Sequence, residues 1–110
     1  MIESEYERVI AKLRADYAEQ LPGTVVQMED LWRRLISAEI PPSKLTEFAR
    51  MAHGLAGSGT TFGLPNVSRT ARELELFLDP FGGSERLPDP VAQATVTQLL
   101  AALRQAAAER

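Results

Sequence analysis

Apolar residues recur three and four positions apart almost from one end of this chain to the other, and no stretch sustains the two-residue alternation of a strand. That periodicity restricts the chain to packed helices. Tyr6, Val9, Ile10, Leu13 and Tyr17 make a first stripe, which Leu21-Pro22-Gly23 is expected to end. Met28, Leu31, Trp32, Leu35 and Ile36 make a second, stopped by Pro41-Pro42. Leu45, Phe48, Ala49, Ala52, Leu55 and Phe62 make a third, with Ser43 as its expected N-cap. Gly63-Leu64-Pro65 breaks and restarts the chain. Pro65 then suits the first turn of a fourth helix carrying Val67, Ala71, Leu74 and Leu78. Asp79 to Pro88 reads as a loop rich in Gly, Pro and Ser. Asp89-Pro90 signals the start of a fifth helix with Val96, Leu99, Leu100 and Leu103.

Short connections join antiparallel neighbours. The expected fold is therefore all-α, an antiparallel four-helix bundle with an additional flanking helix. At 110 residues, 45% of them hydrophobic, residues 1–110 are expected to form a single domain with a real core. Trp32, Phe48, Phe62 and Phe77 fall at helical spacing and are assigned to that core.

Charge and composition then remove classes of function. The net charge is −3 with no basic stripe, so a nucleic-acid partner is not expected. There is no cysteine, which excludes disulfides and thiolate metal sites. The opening Met1-Ile2-Glu3-Ser4-Glu5 is acidic and amphipathic, unlike a secretory signal. No apolar run approaches the ~18 residues that cross a bilayer, so no membrane partner and a cytoplasmic location are expected. The apolar faces are expected to be used inside the bundle, leaving a monomer.

Most catalytic motifs fail on spacing. Gly57-x-Gly59 places its third glycine at 63 rather than 62 and lacks a preceding strand, so it is not a dinucleotide fingerprint. A di-iron bundle needs Glu three residues before a histidine, twice. Here that position is Arg50, and the chain has one histidine. A serine elbow needs glycine where Ala56 stands. A Ser58/His53/acid hydrolase has no supporting pattern.

The lone histidine, His53, lies in Ala52-His53-Gly54-Leu55-Ala56-Gly57-Ser58-Gly59. Each of the glycines at 54, 57 and 59 costs a helix roughly 1 kcal/mol relative to alanine. Three of them beside one imidazole suggest a surface stripped of bulk so that something can approach the ring.

Ala52-His53, Leu55, Gly57-Ser58, Gly63 and Leu74-Glu75 together resemble the pattern of the histidine-containing phosphotransfer (Hpt) domain. This resemblance implies a histidine phosphotransfer protein of a two-component phosphorelay. His53 would accept a phosphoryl group from the aspartyl phosphate of a receiver domain and pass it to another receiver. Glu75 would lie against Nδ1 and orient the ring, leaving Nε2 as nucleophile. Partners would be response-regulator receiver domains, a hybrid histidine kinase, or both. The domain would carry no cofactor of its own, with Mg²⁺ only on the receiver.

Ala49, Ala56, Gly57 and Thr60, one or two turns from His53 on its side, would form the docking face together with Arg50 and Arg72. One position departs from the family. The family lysine three residues after the histidine is Ala56 here, and Arg50 or Arg72 would supply the missing cation. The same departure keeps a second reading in play. In that reading the bundle is a non-phosphorylated docking module that regulates a receiver or kinase by binding.

Overall fold

The computed structural model describes residues 3–82 and 86–109, and among them it contains helices and loops but no strand. Met1, Ile2, Arg110 and residues 83–85 of the expected 79–88 loop lie outside the described residues. Four α-helices follow in order: α1 Glu3–Ile36, α2 Leu45–Thr61, α3 Pro65–Leu78 and α4 Pro90–Glu109. Short 3-10 turns occupy Pro42–Lys44 and Asp79–Phe81.

The first two expected helices are one. α1 runs for 34 residues and contains both Pro22 and Gly23. A proline inside a helix removes an amide donor and crowds the carbonyl four residues back, at a cost of about 3 kcal/mol. Pro22 and Gly23 are exposed, while the nearby Leu21, Val25 and Met28 are buried. Burying each such side chain contributes about 1.5–3 kcal/mol, so three of them outweigh one proline. The described residues therefore hold four helices, without the separate flanking helix that the sequence suggested.

Leu21 to Leu35 of α1 share one core with Phe48, Ala52 and Leu55 of α2, Val67, Ala71 and Leu74 of α3, and Val96, Leu100 and Leu103 of α4. Trp32 is buried against Phe48 with ring centroids 5.4 Å apart, and its indole N–H donates to Thr97 Oγ1 at 3.1 Å. Tyr17 stacks on Phe62 at 4.8 Å, so α1 and α2 meet running in opposite senses. Trp32–Thr97 and Glu29–Arg104 pair α1 with α4 in the same opposed way. Phe77 is half-buried and lies against Phe81 at 5.9 Å.

The helix ends follow from local chemistry. α2 closes with Leu64 N–H donating to Gly59 C=O at 2.8 Å and Gly63 N–H to Thr60 C=O at 3.3 Å. This wrap needs a left-handed residue, and Gly63 supplies it at φ 77°. α1 closes in the same way, Glu39 N–H to Arg34 C=O at 3.0 Å and Ala38 N–H to Leu35 C=O at 3.2 Å, but with Ala38 at φ 60°. Pro65 opens α3, and Asp89 caps α4 by accepting the Ala92 N–H at 2.9 Å. Ser43 does not cap α2. It sits in the 3-10 turn, and α2 starts after Lys44 with no side-chain cap.

α1 is also longer than the bundle it helps build. Its 34 residues account for about 51 Å at about 1.5 Å per residue, close to the longest dimension of 56 Å. Tyr17 already packs on Phe62, at the end of α2. The turns before it project past the α2–α3 connection, and the expected buried stripe is open there. Tyr6 is 71% exposed, Val9 54% and Leu13 46%.

Candidate functional site

α2 turns Phe48, Ala52 and Leu55 into the core, and the same 3.6-residue period puts His53 on the outside. Its side chain is 76% exposed. From α3, where Ala71, Leu74 and Leu78 face inward, Glu75 reaches across and its Oε2 meets His53 Nδ1. The Glu75 side chain is only 25% exposed. An ionised carboxylate only accepts hydrogen bonds. The contact therefore puts the proton of the neutral ring on Nδ1 and leaves a lone pair on Nε2. Nε2 makes no hydrogen bond among the described residues.

The glycines around the ring divide into two kinds. A Cβ added at Gly54 or Gly57 would meet nothing within 4 Å. One added at Gly59 would sit 2.9 Å from the Ser68 nitrogen and 3.0 Å from its Cα. Gly59 is buried and lets α2 and α3 touch; it does not open the surface around His53, as the sequence suggested. Ser68 completes this seam. Its Oγ donates to the Ala56 carbonyl at 2.5 Å and hydrogen-bonds with Thr60 Oγ1 at 2.6 Å. Sequence reasoning missed Ser68. The available signal was a pair of small residues, Gly59 and Ser68, on facing apolar stripes.

Ala49 and Arg50 share a shallow depression with His53 and Glu75, joined by Thr46, Leu78 and Asp79, which the sequence had not singled out. Thr60 and Arg72 line a neighbouring depression with Ser68 and Arg69. Gly57 is exposed beside the ring. Ala56 differs from expectation: it is 5% exposed, held in the α2–α3 seam, and offers almost no surface to a partner. Arg50 and Arg72 are exposed and make no ion pair among the described residues.

Ser58 does not pair with His53. Its Oγ donates to the Gly54 carbonyl at 2.7 Å and hydrogen-bonds with the Tyr17 hydroxyl at 2.8 Å, tying α2 to α1. The hydrolase arrangement is therefore not assembled. Among the described residues, no group of three or more His, Cys, Asp or Glu side chains is placed to hold a metal ion.

A family model for the Hpt domain matches residues 12–106. The chain belongs to the Hpt domain family. No curated protein and no solved structure matches it. Hpt membership implies histidine phosphotransfer in a two-component phosphorelay, and Hpt domains typically interact with receiver domains or kinases. The Hpt match spans all of α2 and α3 and starts inside α1, so residues 3–11 precede it. Among the described residues of this Hpt domain, no helix is long and apolar enough to cross a membrane.

Proposed function

We propose that this Hpt domain relays a phosphoryl group between receiver domains through His53. The observation that carries the reading is the contact of Nδ1 with Glu75 on an exposed ring; with the Nδ1 proton given to the carboxylate, Nε2 keeps its lone pair for attack. In the forward step the Nε2 lone pair attacks the phosphorus of a receiver aspartyl phosphate. An Nε2–P bond forms, the P–O bond to aspartate breaks, and the carboxylate leaves with the bonding pair. The Nδ1 proton stays shared with Glu75, whose negative charge offsets the positive charge building on the ring. Passing the group to a second receiver reverses these bonds.

In this reading His53 and Glu75 are the chemical groups, on one domain built as an antiparallel four-helix bundle. The opposed contacts among its helices support that arrangement. Ala49, Arg50, Gly57, Thr60 and Arg72 form the docking face. Arg50 takes the place of the family lysine, because it shares the depression with His53 while Ala56 has no charge to offer. The domain holds no cofactor; Mg²⁺ belongs to the receiver. The site of action is the cytoplasm.

Phosphoryl transfer from a panel of phosphorylated receivers tests this, with His53→Gln alongside. The expected result is an acid-labile, base-stable phosphate on the wild type and none on the variant. Arg50→Ala is expected to slow labelling, and Arg50→Lys, which keeps the charge, to retain most of it. Ala56 also favours the second reading, a docking module that regulates by binding. Receivers that bind the wild type and His53→Gln equally, and label neither, would establish that reading and overturn phosphotransfer.

A further inference from the structure

We propose that the projecting tip of α1 is a self-association surface, which pairs antiparallel with the same tip of a second copy of this chain. The inference does not rest on the phosphotransfer reading. Its starting point is Tyr6, Val9 and Leu13, all about half exposed or more. These residues continue, turn by turn, the stripe that becomes core from Leu21 onward. Tyr6 and Val9 also precede the part of the chain that the Hpt family shares.

The charge pattern selects the occupant. Glu3, Glu5 and Glu7 with Arg8 precede the Val9–Ile10 turn, leaving that side acidic, and Lys12 and Arg14 with Asp16 follow it, leaving that side basic. Two tips laid antiparallel about that turn set the glutamates of one copy beside the basic residues of the other, twice by symmetry. A parallel pairing sets like charge against like, which disfavours it. Glu5, Glu7 and Arg14 make no ion pair within the described chain, so all three remain available to a second copy. Lys12 pairs with Asp16 at 3.4 Å, an exposed and readily exchanged contact. The paired stretch is only about four turns long. That is small against the ~1,600 Å² of a standard stable interface, so the expected association is weak and reversible.

Sedimentation equilibrium tests the proposal over loading concentrations from about 10 µM to 1 mM, a range suited to an interface below the standard size. The expected result is an average mass rising toward twice the monomer, with weaker association at higher salt. Val9→Asp with Leu13→Asp is expected to remain monomeric while keeping its helical circular dichroism. Glu7→Arg alone is expected to weaken association about tenfold or more, and adding Arg14→Glu to restore it. A monomeric mass at every concentration would overturn the proposal, and so would a dimer indifferent to the double aspartate variant. If the wild type is monomeric and the double aspartate variant instead loses binding to a receiver, the tip belongs to the receiver and the proposal falls.

Discussion

His53 Nδ1 and the Glu75 carboxylate meet across the α2–α3 seam, about two helical turns from the close approach of Gly59 to the Ser68 backbone. The hydrogen-bond partner of the imidazole therefore comes from another helix. The seam fixes how far Glu75 must reach.

Glu75→Gln keeps an acceptor for the Nδ1 proton but removes the charge, and Glu75→Ala removes both. A hydrogen bond to a charged group is worth about 1.5–3 kcal/mol, or about 10–100-fold in rate. Phosphoryl acceptance by Glu75→Gln is expected to slow about tenfold, and that of Glu75→Ala to slow further. Initial labelling rates from one receiver check this. Nitrogen NMR of the ring is expected to find the proton on Nδ1 in the wild type and spread over both nitrogens in Glu75→Ala. Unchanged rates and an unchanged tautomer would remove Glu75 from the mechanism.

Two glycines on one helix are expected to respond oppositely to the same methyl group. Gly57→Ala adds a Cβ that meets nothing within 4 Å, so helix formation should gain about 0.4–1 kcal/mol. Partner approach should suffer. Gly59→Ala forces a Cβ into the Ser68 backbone and should cost about 1–3 kcal/mol through displacement of α3. Urea denaturation gives both numbers. Labelling is expected to fall in both variants, from a more stable protein in one and a less stable protein in the other. A loss of stability in Gly57→Ala would contradict the geometry.

The end of α1 offers a stabilising change far from His53. Ala38 holds φ 60°, a conformation that costs an L-residue roughly 1–2 kcal/mol and glycine almost nothing. Ala38→Gly should therefore raise stability by about 1 kcal/mol, read as a shift in the urea midpoint. Glu39 beside it is held below the ordinary carboxylate value, first by the Ser37 hydroxyl and then by the charge of Arg33. A folded value below the unfolded one means that its contribution is present above the unfolded value and lost as pH falls through the folded one. Carboxyl-carbon NMR titration should place Glu39 low in the wild type and higher in Ser37→Ala.

Much of this was legible in the sequence, for reasons that individual residues make clear. The inward stripes of α2 and α3 set His53 and Glu75 outside the core, but only the family resemblance related the two; by helical spacing alone Glu75 reads as a solvated surface residue. Asp89 and Pro65 carried their helix starts in their own chemistry. Pro22 misled, because a local penalty of known size was set against burial of Leu21, Val25 and Met28, and their depth is a tertiary fact. Gly59 misled for a related reason. A glycine that faces a partner and one that faces a neighbouring helix look alike until the neighbour's backbone is in place. Ala56 lay one turn from His53 in projection, but Ser68 and Thr60 close the seam over its carbonyl.

α1 passes from core to tip without a joint, and this gives the molecule a stalk. At about 1.5 Å per residue, Tyr6 stands roughly 16 Å beyond Tyr17 along one continuous rod. A flexible tether lets its cargo sample every heading within reach, and its usefulness falls smoothly with length. A rod holds its cargo at one heading relative to His53. Whatever grips the tip is therefore either aimed at the imidazole or aimed away from it, and switching between the two requires a new grip, with the bundle itself left unchanged.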